Sequence, residues 1–386
     1  MNEILIEKKE DIIKIFFLKD NILIETYEEN LKKPMIEDNI YVGKVQNVFK
    51  GMQAAFVNIG VGKNVFIHLK DLLPKVDVVK NNVEKIDRPI TDFIKPGQPI
   101  IVQVMKDASN KKGARVTCHI SIKGRYVMYM PGAEFVAVSQ KIDDNDKNRL
   151  KEIVSDALKD CDGAIIRTAA KDASEEDIKK EIMFLTSKWE EVKNIKTESY
   201  PKLIYNAGGI LGKYLIDIAD KGIDKIIVNS EELREEVIEK LNEISAEIDV
   251  EINENLLDRS GLEKQLIKAS ARKVWLDSGA FITIDKTEAL IAIDVNSGKC
   301  MGKDDFEQTI FEINKEATIE IAKQLRVRDL GGIIIVDYID MHEQENKNKI
   351  IEIFKEEIKK DISKVQIEGF SKLNLLELTR KHVYSK

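Results

Sequence analysis

Hydrophobic residues recur at two periods along this 386-residue chain. At the N-terminus they alternate with polar ones through ILIEKK, IIKIFFL and NILIETYEE. That pattern predicts a three-stranded β-meander, with Lys19-Asp20-Asn21 as a tight turn. From Asn39 to Leu69 short runs of Val, Phe and Ile are broken by Gly43, Gly51, Gly60 and Gly62. After a charged excursion from Asp71 to Asp92, KPGQPIIVQVMKD and ARVTCHISI continue the same texture. About five short strands with glycine corners predict a small barrel. A helical period begins near Lys147, is interrupted by a strand in GAIIRTAA, and resumes in a long helix opening on Ser174. Mixed helix and strand texture follows Pro201 as far as about Glu254.

The last third is the most regular. AFITI and ALIAIDV, separated by DKTE, read as a hairpin whose second strand is buried and delivers Asp294 at its end. A helix follows from about Lys303 to Arg328, with Phe306, Ile310, Ile313, Ala317, Ile321 and Leu325 on one apolar stripe. LGG stops it, and the strand IIIVDYI delivers Asp337. Strand, crossover helix and strand make a βαβ unit, so the two acid-bearing strands should be parallel and close. Parallel neighbours end on the same edge, which brings Asp294 and Asp337 together at the carboxyl edge of the sheet.

Two carboxylates held together by apolar strands need neutralising. They can share a proton, pair with Lys or Arg, or hold a divalent cation. Magnesium suits the last, since it is held by one or two carboxylates and keeps several waters. Asn296 stands two residues beyond Asp294, and its amide can hydrogen-bond a carboxylate and fix its orientation. An Asx turn after the strand would use the same residues. Other chemistry finds little support. AGGILGK lacks the glycine spacing of a phosphate loop, and Tyr214 stands where Ser or Thr is needed. His68, His119, His342 and His382 form no H-x-x-x-H pair. Cys118, Cys161 and Cys300 are scattered and odd in number, which argues against a disulfide framework or a cysteine zinc site.

Composition is that of a soluble globular protein, 43% hydrophobic and 33% charged. No apolar run suits a membrane span, and the N-terminus lacks a signal-peptide layout, so a cytoplasmic setting is expected. The net charge of −7 hides an asymmetry. Tyr41 to Met130 holds 15 Lys and Arg against 6 Asp and Glu, so the predicted barrel region is basic and the remainder acidic. A basic module inside an acidic chain is the electrostatic footprint of a nucleic-acid-binding face, and a lysine-rich solvated surface would carry the same charge.

With these residues on the page, the chain resembles the ribonuclease E/G family. The resemblance is carried by ALIAIDVNSG, KQLRVRDLGGIIIVDYIDM and AAFVNIG, and it covers nearly the whole length. It implies a multidomain, mixed α/β (α+β) fold. An RNase H-like subdomain (1–35 and 205–270) is interrupted by an OB-fold RNA-binding barrel (36–123) and a 5′-sensor region (124–204). A DNase I-like catalytic subdomain (271–386) follows. Asp294 and Asp337 match the family's magnesium-binding aspartates, and Asn296 the asparagine that orients them. One magnesium ion is expected, since only two clear acids are offered. Phe56, Phe66 and Lys112 match contacts to single-stranded RNA. Arg167 and Thr168 match the pair that grips a 5′-monophosphate, in a pocket with Gly124, Met128 and Lys364.

The resemblance implies a magnesium-dependent endoribonuclease for single-stranded, A/U-rich RNA. Its products carry 5′-phosphate and 3′-hydroxyl ends, and 5′-monophosphorylated substrates are preferred. There are departures. Lys364 and Met128 replace arginine and valine of a well-studied member, and Gln140 and Lys141 replace two arginines. No C-P-x-C motif follows Arg380, so zinc and a zinc-linked tetramer are not expected, while a homodimer stays open. The rival readings are a non-catalytic RNA-binding protein built on the barrel, and a metal phosphatase for small phosphoesters.

Overall fold

The computed structural model describes residues 1–73, 88–108, 113–159, 161–195, 199–256, 261–298 and 306–383. The chain divides into two compact units. One gathers Met1–Leu31, Ile223–Val237 and Ile248–Tyr384; the other holds Lys32–Gly222 and Ile238–Glu247.

The first unit contains two sheets. The expected meander forms from Asn2–Lys9, Ile12–Lys19 and Ile22–Asn30. Asp20 and Asn21 both take positive φ, 50° and 63°, which is the backbone of a two-residue hairpin turn. Asn2–Lys9 also pairs in parallel with Lys225–Val228, which pairs in parallel with Asp249–Ile252. The first strand of the chain is thus completed by segments more than two hundred residues away.

The second sheet has six strands. Its order is Lys273–Trp275, Phe281–Lys286, Leu290–Asn296, Gly332–Asp337, Leu375–Arg380 and Val365–Phe370. The predicted hairpin and crossover are both present. Leu290–Asn296 and Gly332–Asp337 are parallel, joined through helix Phe306–Val327. Ile282, Ile284, Ile291, Ile293, Val295, Ile334, Val336, Leu376 and Leu378 point to one face. There they pack with Ile310, Ile313, Ala317, Ile321 and Leu325 of that helix and with Ile350 and Phe354 of Gln344–Ile358. The opposite face is not buried: Ala292, Asp294, Ile333 and Asp337 are exposed. A strand buried on both faces was expected from the apolar run at 289–293, so this is a correction. The alternation is masked in the sequence because Ala292 and Ile333 are apolar yet face outward. Phe306 also departs from its predicted stripe; it is 54% exposed at the first helical residue, ahead of the sheet's cover.

A buried ion network closes this unit near its last described strand. Arg380, with its side chain fully buried, donates to Asp329 at 2.9 Å and to Asp361 at 2.8 Å. A third bond runs to the Leu330 carbonyl.

The second unit holds the predicted barrel. Ile40–Phe49, Ala54–Asn58, Val65–His68, Arg115–Thr117 and Pro99–Lys106 pair in that order, and the last pairs back on the first. Five strands close, consistent with an OB-fold, around Tyr41, Val45, Ala55, Val57, Val65, Ile67, Val102, Val104 and Val116. Lys202–Tyr205 adds outside the ring, on Ile40–Phe49. A four-stranded sheet follows, in the order Val136–Val138, Gly163–Ile166, Val127–Met130, Ile122–Lys123. Helices Asp144–Ala157 and Glu175–Lys193 share its core. Ser174 caps the second of these, accepting from the Asp177 N–H at 3.1 Å. The strand expected through GAIIRTAA ends at Ile166; Thr168–Asp172 turns into a 3-10 helix instead. No helix among the described residues is long and apolar enough to cross a membrane.

The Arg380 network generates a prediction. Removing one member of a buried ion network strands the others, at a cost of about 3–5 kcal/mol. Arg380→Ala should lose that much stability in urea titration. Burial alone would raise the Asp329 carboxyl, but hydrogen bonds from His382 and Arg380 outweigh it and hold it below its usual 3.8. Asp329's stabilisation is therefore present above pH 3.8 and disappears as pH falls further, through the folded-state value. A variant as stable as wild type at neutral pH would show that the network contributes nothing.

Candidate active site

Asp294 and Asp337 are register partners on the two parallel strands. Alternation fixes their direction. Asp294 lies between buried Ile293 and Val295, and Asp337 follows buried Val336, so both side chains stand on the exposed face. The pair therefore sits on the face of the sheet near its carboxyl end, not in a crevice beyond it. Asn296 lies two residues on, on the same face, and its Nδ2 donates to Asp294 Oδ2 at 2.7 Å. The contact is made side chain to side chain.

The strand bearing Asp337 is anchored from behind. Asn314, fully buried on helix Phe306–Val327, donates to the Ile339 carbonyl at 2.8 Å and accepts from the Ile339 N–H at 3.1 Å. One turn on, Thr318 Oγ1 meets the Tyr338 hydroxyl at 2.8 Å. These polar residues were missed in the sequence; two polar positions four apart on an apolar stripe were the available signal. Gly298 ends the other strand at φ 60°, where a Cβ would stand 2.5 Å from the Gly279 carbonyl oxygen. Only glycine satisfies both demands.

Among the described residues no Lys or Arg forms an ion pair with Asp294 or Asp337. Partial withdrawal from water, then the charges of Asp294 and Asp340, hold the Asp337 carboxyl above its ordinary value. Asp340 was also missed; its own partner is Asn374, which donates to it at 2.8 Å. Among the described residues no group of three or more His, Cys, Asp or Glu is arranged to hold a metal. Two adjacent acids without cations fit an ion that needs few protein ligands, and magnesium is such an ion.

Three of the four histidines make side-chain contacts to the backbone. His68 Nδ1 accepts from the Lys70 N–H, His119 contacts the Leu73 carbonyl, and His382 bonds the Asp329 carbonyl. Lys213 of AGGILGK is buried against Glu37 and Asp38, which leaves it no role in a phosphate loop.

In the second unit, Phe56 and Phe66 are cross-strand partners with ring centroids 6.0 Å apart, edge to face. Both are half-buried and lie outside the barrel core, because Ala55, Val57, Val65 and Ile67 take the inward positions. Phe49, missed in the sequence, extends the row; its centroid is 5.8 Å from that of Phe56 and it is exposed. Lys112 lies outside the described residues.

Arg167 and Gly124 are brought together. Arg167 Nη1 donates to the Gly124 carbonyl at 2.7 Å, and its Nη2 to Asp217 Oδ1 at 2.8 Å. Lys123 Nζ reaches the same Asp217 oxygen at 2.7 Å. Thr168 Oγ1 bonds Ser139 Oγ at 3.0 Å. Half-buried Met128 stands on the hairpin opened by Gly124, its backbone between Lys123 and Ile165. Lys364 belongs to the first unit, just before strand Val365–Phe370. Glu181 holds the Gly124 turn from below. Its carboxylate accepts the backbone N–H groups of Arg125, Tyr126 and Val127 at 2.5, 2.8 and 2.8 Å. Burial still pushes that carboxyl above its usual value against those bonds. Asp217 and Glu181 were not legible in the sequence as parts of this cluster.

The ribonuclease E/G family profile matches residues 121–383. Ribonuclease G of Salmonella typhimurium (strain SL1344) is 38% identical over 353 residues, covering 89% of this chain and 72% of that protein. Ribonuclease G of Escherichia coli (strain K12) is 37% identical over 351 residues, with the same coverage. Ribonuclease E of Escherichia coli (strain K12) is 33% identical over 354 residues, covering 89% of this chain but 33% of that protein.

The Gly124 turn can be tested by filling it. A Cβ there would stand 2.6 Å from Glu181 Cδ and 2.7 Å from its Oε2. Glu181 cannot retreat without abandoning three backbone N–H groups. Gly124→Ala should cost about 1–3 kcal/mol in chemical denaturation, the range for overpacking. Wild-type stability in that variant would mean that Glu181 moves freely and does not fix the turn.

Proposed function

This chain belongs to the ribonuclease E/G family, and from that premise we propose that it cuts single-stranded, A/U-rich RNA at Asp294 and Asp337 with the aid of magnesium. It is an endoribonuclease. The observation that carries the proposed site is the register of Asp294 with Asp337 on parallel neighbouring strands, with no cation among the described residues to balance them. The six-stranded sheet with its two helices is the proposed DNase I-like catalytic part. The five-stranded sheet is the proposed RNase H-like part, and a cytoplasmic location goes with this reading.

Asp294 and Asp337 would hold one magnesium ion between them. When bound, such an ion offsets charge on the phosphate oxygens and makes a coordinated water more acidic. Asn296 keeps the Asp294 carboxylate in one orientation by donating to Oδ2. Asn314 and the Thr318–Tyr338 contact keep the Asp337 strand end from shifting. Attack in line by water breaks the bond from phosphorus to the 3′ oxygen. The products end in a 3′-hydroxyl and a 5′-phosphate.

The barrel supplies affinity. Phe56 and Phe66 stack bases from its outer face, where each stacked base contributes about 1–3 kcal/mol whatever the sequence. Arg167 and Thr168 bind a 5′-monophosphate above the Gly124 turn. Asp217 already occupies one edge of the Arg167 guanidinium, so a terminal phosphate has to share or displace that carboxylate. The 5′-end preference should therefore be modest.

Two measurements test this reading. Asp294→Asn and Asp337→Asn should each nearly abolish cleavage of a 5′-labelled single-stranded RNA, with the fold and RNA binding kept. The double variant should be little worse than either single one, because the acids act as a unit. A single variant retaining about a third of wild-type activity at saturating magnesium would move the site elsewhere. In a paired time course, wild type should cut 5′-monophosphorylated RNA about tenfold faster than 5′-hydroxyl RNA, since a charge-assisted hydrogen bond contributes about 1.5–3 kcal/mol. Arg167→Gln should slow only the monophosphorylated substrate. Equal wild-type rates on both ends would remove the 5′-sensor assignment and leave the nuclease assignment standing.

A further inference from the structure

The exposed face that carries Asp294 and Asp337 also carries two aromatic rings. Trp275 pairs in register with Phe281, and Phe281 with Asn296. On the neighbouring rung Lys273 pairs with Thr283, Thr283 with Asp294, and Asp294 with Asp337. Register partners point the same way, so Lys273, Trp275 and Phe281 share the face of the acid pair. Two strand spacings, about 10 Å, separate Trp275 from Asn296.

These rings are not core. Val274 and Ile282, their chain neighbours, pack against the hydrophobic cluster under the sheet, while Trp275 stands 63% exposed. Trp275 and Phe281 lie 5.2 Å apart between centroids, tilted by 59°. Lys273 Nζ sits 3.9 Å from the Trp275 centroid and 3.4 Å from that of Phe281. Among the described residues this lysine has no carboxylate partner. A tryptophan held out of the core on the face of an acid pair, with a lysine over its ring and no carboxylate on that lysine among the described residues, offers a nucleotide both of its needs: a π-face for the base and a positive charge for the phosphate.

We propose that Trp275, Phe281 and Lys273 form a stacking platform that seats the nucleotide next to the phosphodiester bond being cut. The proposal rests on the reading of Asp294 and Asp337 as the cleavage centre. Trp275 and Phe281 act as positioning residues. The base stacks on Trp275, braced by Phe281, and Lys273 leaves the rings for the adjoining phosphate. The platform works through the π-face, so it reads position and not base identity.

The test uses the whole chain and a short single-stranded RNA with one mapped cut. A matching set of RNAs lacks one base at a time, each leaving an abasic sugar. With wild type, one position beside the cut should lose about tenfold in kcat/KM when its base is removed, the loss of one stacked base. Trp275→Ala should cut intact RNA about tenfold more slowly and become indifferent to that same missing base. Trp275→Phe should keep most of the sensitivity. Trp275→Leu, which keeps apolar bulk without a π-face, should behave like the alanine variant. If the alanine and leucine variants show the wild-type abasic profile, or cut intact RNA at the wild-type rate, the platform is overturned. Wild-type protein that cuts no RNA at all would instead overturn the cleavage centre on which the platform rests.

Discussion

Two like charges are held on neighbouring strands by hydrophobic burial on the other side of the sheet, and the rest of the first unit is arranged around that arrangement. Asp294 and Asp337 repel, and nothing basic among the described residues offsets them. What keeps the strands paired is the face beneath. Ile291, Ile293, Val295, Ile334 and Val336 are all nearly or fully buried there, each contributing about 1.5–3 kcal/mol by leaving water. The crossover helix Phe306–Val327 covers that face and fixes the parallel register, while Asn314 ties it to the Ile339 backbone and Thr318 to the Tyr338 hydroxyl just past Asp337. The apolar residues supply the binding energy of the strands, and the polar ones select a single alignment.

Much of this was legible in the sequence because its local signals agree with one another. The hairpin, the 3.6-residue stripe and the second apolar strand each point to one βαβ unit, and register follows from a parallel pair of similar length. The barrel was legible for a related reason: short strands with glycine corners have few ways to close. What was not legible depends on contacts distant in the chain. Asp217 meets Arg167 and Lys123 across fifty residues or more, and Glu181 reaches back to the Arg125–Val127 backbone. No local pattern marks a carboxylate for such a partner. The exposed face of the six-stranded sheet was misread because Ala292 and Ile333 are apolar without being buried, and hydropathy does not report orientation.

Asp294 and Asp337 stand apart from other carboxylates that this fold withdraws from water. Asp329 and Asp361 share buried Arg380, Asp71 pairs with Arg115 at 2.7 Å, Asp217 takes a lysine and an arginine, and Glu181 takes three backbone donors. In each case the acid has charged or backbone donors of its own, although at Glu181 burial still prevails over them. Asp294 has one neutral amide donor, and Asp337 has two acids for its nearest charges. A folded chain rarely leaves two such groups side by side without return, since unpaired like charges weaken the native state. The same chain has an ample supply of cations, and it spends them elsewhere: Lys273 lies over two rings in preference to any carboxylate, on the rung that runs directly to Asp294. A face whose acids have no cation partner among the described residues, and whose lysine on the same rung meets rings and no carboxylate, is poor design for stability and suits an anionic polymer that arrives with a divalent cation. On the proposed reading the cation would answer the acids, Lys273 the phosphate, and exposed Trp275 with half-buried Phe281 the base. Stability forgone at this face is recovered in the buried one, which is why the two faces of a single sheet can differ so sharply in chemistry.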